Sequence, residues 1–176
     1  MLVKKYNYKN LITHEDNKLY MSIIDLIIDS GNIAKNVPGL QTLPYLFELQ
    51  EFFKLKQSFI LSCSSYLNKN LDIKSLECWC HVNFYDFHKN EDREKLWHHH
   101  GSQSSYDLSG LYYLKVPSNI WTKNKSGTEF KDDKIKNIIP EDFCWFIYPS
   151  NLLHRPGLIK SNERRYVIAA DIKYNI

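Results

Sequence analysis

Two rhythms of apolar and polar residues divide the chain. Over roughly the first 75 residues, apolar side chains recur at helical intervals. Tyr20, Ile23, Ile24, Leu26, Ile27 and Ile28 form one stripe, which stops at Ser30-Gly31. After a Pro38-Gly39 turn a second stripe runs from Pro44 through Leu46, Leu49, Phe52, Phe53, Phe59, Ile60 and Cys63 to Asn68-Lys69-Asn70. Steps of three and four put such residues on one helix face. Proline is favourable early in a helix, where its missing N–H would have no partner anyway. After Asp72 the period falls to two, as in strands whose successive side chains alternate between faces. Apolar or alternating runs at 76–87, 108–116, 143–148 and 166–172 predict strands. A further strand is predicted at the histidines near residue 98, after a charged connection at 88–95, and 118–134 reads as a polar loop. Short strands at this spacing predict an antiparallel sandwich or barrel. The expected architecture is mainly β with N-terminal helices. It is one domain, 1–176, in which 1–75 buttress a β-core at 76–176.

Composition narrows the function. With 43% hydrophobic and 14% aromatic residues, the chain encodes a packed globule and not a disordered segment. A net charge of +3 with scattered lysines gives no footprint for a nucleic-acid partner. No apolar run reaches the ~18 residues of a membrane span, and the N-terminus lacks the apolar core of a secretory signal. Cys63, Cys78, Cys80 and Cys144 form no CxxC pair, so reduced, buried thiols in a cytoplasmic protein are expected. Cys78 and Cys80 with His81 are an alternative ligand set, but they lack a second ligand pair. Oligomeric state is not legible.

The candidate chemistry lies in Trp97-His98-His99-His100-Gly101. Imidazole is the commonest protein metal ligand, and histidines at i and i+2 of a strand share a face. In one reading His98, His100 and the distant His154 hold one ion. In a second, His99 ligates and Gly101 leaves a position empty. In a third, one histidine ligates and a carboxylate arrives from elsewhere, with Asp107 nearest. The fourth is a surface cluster without function. Arg165 opens an apolar strand about ten residues beyond His154. A guanidinium there can grip a carboxylate through two parallel N–H···O bonds, while Arg164 points to the opposite face. A short-spaced histidine pair, a distant histidine and this arginine together suggest an iron oxygenase using a 2-oxo acid. Tyr112 and Tyr113 sit on opposite faces of their strand, so only one lines a cavity. Trp97, Trp121 and Trp145 are candidates for an aromatic pocket, and 118–134 for a lid.

Several segments resemble the 2-oxoglutarate/Fe(II)-dependent oxygenases often seen in phages and marine bacteria. His98-x-His100 followed by Leu108-Ser109-Gly110-Leu111-Tyr112-Tyr113 and Pro117 looks like that family's His-x-His and Ser-Gly-(apolar)-Tyr-Tyr stretch. Tyr148-Pro149-Ser150 through His154 is similar to its Phe-Pro-Ser-x-x-x-His segment, and Glu163-Arg164-Arg165 to its Glu-Arg strand start. Trp79 and Asn83 resemble a Trp and an Asn of its first core strand. The resemblance covers roughly residues 78–172. The chain departs from the pattern in having about two extra residues between His100 and Leu108, Gly101 where Pro is common, and Glu141-Asp142-Phe143 where a Gly is usual.

The resemblance implies a double-stranded β-helix (jelly-roll, cupin-like) core, with Fe(II), 2-oxoglutarate as cosubstrate and O2. His98, His100 and His154 would be metal and catalytic residues, and Arg165, Tyr113, Asn83 and Ser109 would bind cosubstrate. The implied reaction is hydroxylation of a small molecule or protein side chain through an iron-oxo species. A halogenase using the His99-x-Gly101 gap, a three-histidine enzyme like the thiol dioxygenases, and a non-catalytic module holding zinc are the alternatives.

Overall fold

The computed structural model describes residues 2–35, 37, 39–83, 92–101, 107–118, 127–159 and 161–175. The described residues form nine antiparallel strands, two long helices and three short 3-10 helices. A six-stranded sheet has the order β1 (Lys4–Asn7), β7 (Cys144–Pro149), β4 (Asp107–Lys115), β9 (Arg165–Asn175), β3 (Asp72–Asn83), β2 (Leu40–Gln41). A three-stranded sheet has the order β6 (Ile135–Asn137), β5 (Thr128–Lys131), β8 (Leu153–Pro156). From β3 onward the chain passes back and forth between the two sheets, and α1 (His14–Asp29) and α2 (Phe53–Leu67) cover the outer face of the larger one.

The helices form where the apolar stripes predict, with local differences. Thr13 caps α1: its hydroxyl accepts from the Asp16 N–H while the Asp16 carboxylate accepts from the Thr13 N–H, so two of the helix's orphan donors are satisfied. α2 begins only at Phe53, because Pro44 enters a turn followed by two 3-10 turns at Leu46–Glu48 and Gln50–Phe52. Asn68 then ends α2 in the left-handed conformation, φ 54°. The N-terminal part is not wholly helical, since β1 pairs along β7 and β2 along β3. Likewise the expected loop at 118–134 contains β5, which pairs β6 and β8; residues 119–126 lie outside the described residues.

Alternation along the strands builds two cores. Cys78, Cys80, Val82, Tyr112, Trp145, Ile168 and Ala170 face the helices. Trp79, Leu111, Tyr113, Phe146, Tyr148, Val167 and Ala169 face the smaller sheet. All four cysteines are free and buried. Cys78 and Cys80 lie in the helix-side core, where burial pushes both thiols up, whereas His81 lines the cavity on the other side of the sheet; the three do not converge, which corrects the alternative that pairs them with a metal. The fit against the helices is tight at Gly110, where an added Cβ would lie 2.6 Å from Phe59 Cε2. At the turn where the resembling family has glycine, Phe143 itself takes the left-handed conformation, φ 60°, with its ring edge-on to His14 at 4.8 Å. Such a conformation costs a non-glycine residue about 1–2 kcal/mol.

Candidate metal centre and anion pocket

The histidine segment is not a continuous strand. It is held by a single antiparallel bridge in which the His98 N–H donates to the His154 carbonyl at 3.0 Å and the His154 N–H to the His98 carbonyl at 2.9 Å. Residues opposite one another in an antiparallel pair project from the same face, so the bridge alone sets His98 beside His154. Period two adds His100. The Ser150 carbonyl accepts from both the His100 and Gly101 N–H groups at 3.0 Å, fixing the far end of the segment. The ring centroids lie 4.4 Å (His98–His154), 4.8 Å (His100–His154) and 5.3 Å (His98–His100) apart. One nitrogen from each ring falls within 4.8 Å of the others.

Each Nδ1 already has an acceptor. His98 Nδ1 is 2.9 Å from the Leu96 carbonyl, His154 Nδ1 is 3.0 Å from the Leu152 carbonyl, and His100 Nδ1 is 3.1 Å from Asp171 Oδ1. Acceptors at Nδ1 place the proton there and leave the Nε2 lone pair for a metal. Burial, then His98 and His100, hold His154 well below the usual imidazole range. His98 is also lowered, by desolvation among the packed rings and by its histidine neighbours, although its outer surface is exposed. Both effects favour the neutral form that ligation requires. Three imidazoles converging on one point would suit iron or zinc.

The histidines border a cavity of about 400 Å³, walled by Trp79, Leu111, Val167 and Ala169 and reached also by His81, Asn83, Thr128 and Arg165. Arg165 is only 2% exposed, and its Nε and NH1 have no hydrogen-bond partner among the described residues. Burial lowers its pKa, opposed by Tyr113, whose ring lies 5.6 Å from the guanidinium carbon. A guanidinium nevertheless stays charged in proteins. Buried donors on a charged group are costly to leave unpaired, so this pocket fits an anion.

The other expected residues divide by face. Asn83 pairs with Arg165 across β3 and β9 and lines the cavity. Tyr113 is buried on the same side, but its hydroxyl donates to Thr128 Oγ1 at 2.8 Å and accepts from the Thr128 N–H at 2.9 Å. That leaves Thr128, which the sequence reading passed over, at the cavity wall. Ser109 lies behind the site, donating to Asp171 at 2.5 Å and lying 2.9 Å from Ser150 Oγ. Tyr112 and Arg164 belong to the helix side, bonded to Asn17 and Asp25 respectively. Neither Asp107 nor His99 joins the cluster. Gly101 does not open a ligand position, because its absent Cβ would lie 2.8 Å from Ser150 Cβ. Trp97 packs under Arg155, 4.3 Å from the guanidinium carbon, and Trp145 sits in the helix-side core. Trp121 lies outside the described residues. Asp171 went unnoticed; its signal was a lone acid inside the apolar run 166–172, at the same parity as Arg165.

No protein-family model and no curated protein sequence matches the chain. Solved structures do resemble it. One is a prolyl-4-hydroxylase of Pseudomonas putida, with a TM-score of 0.65 and 11% identity over 99% of this chain and 94% of that one. Another is SnoN, a non-heme alpha ketoglutarate dependent epimerase of nogalamycin biosynthesis, at 0.67 and 11% over 98% and 78%. It has also been solved with Fe3+, alpha ketoglutarate and nogalamycin RO. A third is a Trichoplax adhaerens prolyl hydroxylase in complex with a hypoxia inducible factor peptide, at 0.60 and 13% over 98% and 84%. The chain has the double-stranded β-helix fold. Within that fold its three histidines line a cavity bordered by strands of both sheets, and no described helix is long and apolar enough to cross a membrane.

Proposed function

We propose that the protein is an Fe(II)- and 2-oxoglutarate-dependent oxygenase acting on a small molecule or a protein side chain. The observation that carries this reading is the buried Arg165, with two donors unpartnered among the described residues, in the same cavity as three imidazoles whose Nδ1 atoms are engaged elsewhere and whose Nε2 atoms meet only a long 3.4 Å contact, from the Tyr148 hydroxyl to His154, among the described residues. His98, His100 and His154 hold the metal, and Arg165 receives the far carboxylate of the cosubstrate. When bound, the metal and the 2-oxo acid supply oxidation by O2, with one oxygen atom going to the substrate and the other to succinate, formed with loss of CO2. The chain's own residues bind, orient and exclude water. Trp79, Leu111, Val167 and Ala169 give the cavity an apolar wall, Tyr113 fixes Thr128 at its edge, and Asn83 flanks Arg165. Arg165 argues against a 2-oxo-acid-independent three-histidine enzyme, and the Gly101–Ser150 contact removes the support for a halide site.

Anaerobic titration of the metal-free protein with Fe(II) and 2-oxoglutarate tests the reading. A weak visible charge-transfer band that requires both components is expected. Tight metal binding without the band would reassign the site to an iron enzyme independent of 2-oxoglutarate or to structural zinc.

A further inference from the structure

We propose that Asp171 is the outer carboxylate of this metal centre, a positioning residue that acts through His100; the inference rests on the metal-binding reading above. The three ligand histidines are not supported alike. His98 and His154 donate their Nδ1 protons to the neutral backbone carbonyls of Leu96 and Leu152, whereas His100 faces a carboxylate, Asp171 Oδ1, at 3.1 Å. Asp171 is itself anchored. Its β9 backbone pairs with Glu77 on one side and Ser109 on the other, and the Ser109 hydroxyl donates to the same Oδ1. Ser150 lies against that hydroxyl, and its carbonyl grips the His100 backbone. Trp79 packs on the His100 ring, with centroids 5.2 Å apart. His100 is thus constrained at backbone, ring face and Nδ1.

A carboxylate at Nδ1 fixes the ring's orientation and tautomer and strengthens electron donation from Nε2. An all-imidazole set adds no negative charge to a divalent ion, unlike a set containing one carboxylate. Asp171 supplies that charge from one hydrogen bond further out. The Ser150–Ser109–Asp171–His100 chain is therefore part of the metal centre, although it contributes no ligand atom.

Co(II) binding separates this role from a structural one. Asp171→Ala removes acceptor and charge, while Asp171→Asn keeps an acceptor and removes the charge. Titration of the full chain should show Co(II) affinity lowered about 10–100-fold in Asp171→Ala. A smaller loss and a shifted visible Co(II) spectrum are expected in Asp171→Asn, with the melting temperature of its metal-free form near that of wild type. Wild-type affinity and spectrum in both variants would overturn the proposal while leaving the three-histidine site standing. Failure of the wild-type protein to bind Co(II) at all would overturn both.

Discussion

The two faces of the six-stranded sheet are made by the same strands, yet they differ in how their polar groups are treated. On the helix side the buried polar groups are neutral and mostly paired: the Trp145 indole N–H donates to Ser58 and the Tyr112 hydroxyl to Asn17, while the Tyr20 hydroxyl has no hydrogen-bond partner among the described residues. On the inner side a buried guanidinium keeps two donors without partners among the described residues, and three imidazoles crowd together. Burying unpaired polar groups lowers stability. The inner face therefore carries a stability cost, in the unpartnered guanidinium, that an anion bound there would offset. The consecutive Arg164 and Arg165 show the contrast in miniature: the first is tied to Asp25 of α1, the second is aimed into the cavity.

Three substitutions test how separable the faces are. The largest effect is expected on the helix side. Trp145→Ala removes a fully buried ring packed on Phe47, Phe59 and Tyr112 and should cost about 3–5 kcal/mol in urea unfolding. Co(II) affinity of the folded fraction should stay as in wild type; a parallel loss would mean the faces are coupled. Next, Arg165→Met should raise the stability of the metal-free protein by about 1–3 kcal/mol, because it removes unpaired buried donors, and should abolish the 2-oxoglutarate-dependent absorption. A fall in stability would show that Arg165 already has a partner and would break the contrast. The smallest effect belongs to Arg164→Ala. Its pair with Asp25 is partly exposed on both sides (41% and 37%), so about 0–1 kcal/mol should be lost with 2-oxoglutarate binding untouched.

What the sequence made legible follows the same division. Strands β3, β4, β7 and β9 were readable because each is long enough for its alternation to register. β1 (Lys-Lys-Tyr-Asn), β6 (Ile-Lys-Asn) and the four-residue β5 and β8 are too short or too charged to show a period, and pairing with neighbours makes them strands. Pro44 was a sound helix-start signal locally, but the chain needs two 3-10 turns there before α2 begins. Same-face logic paired His98 with His100, and the Tyr148-Pro149-Ser150 to His154 segment with its family resemblance supplied His154, even though a single bridge replaced the expected strand. The placement of Tyr112 and Arg164 needed the helices' positions, which spacing does not encode. Asp171 is an acid in an apolar run, and its meaning depends on a residue 71 positions away in the chain.

Strand β9 sets a limit on how this gene can change length. Arg165 and Asp171 stand six residues apart on one face, a run of about 20 Å along the strand. The anion grip and the support for His100 are thus cut from a single ruler marked in units of two. Insertion or deletion of one residue between them would turn one of the two toward the helices while the other stayed, whatever the new residue was. Descendants of this sequence can vary many side chains along β9, but within that interval they can alter its length only by pairs.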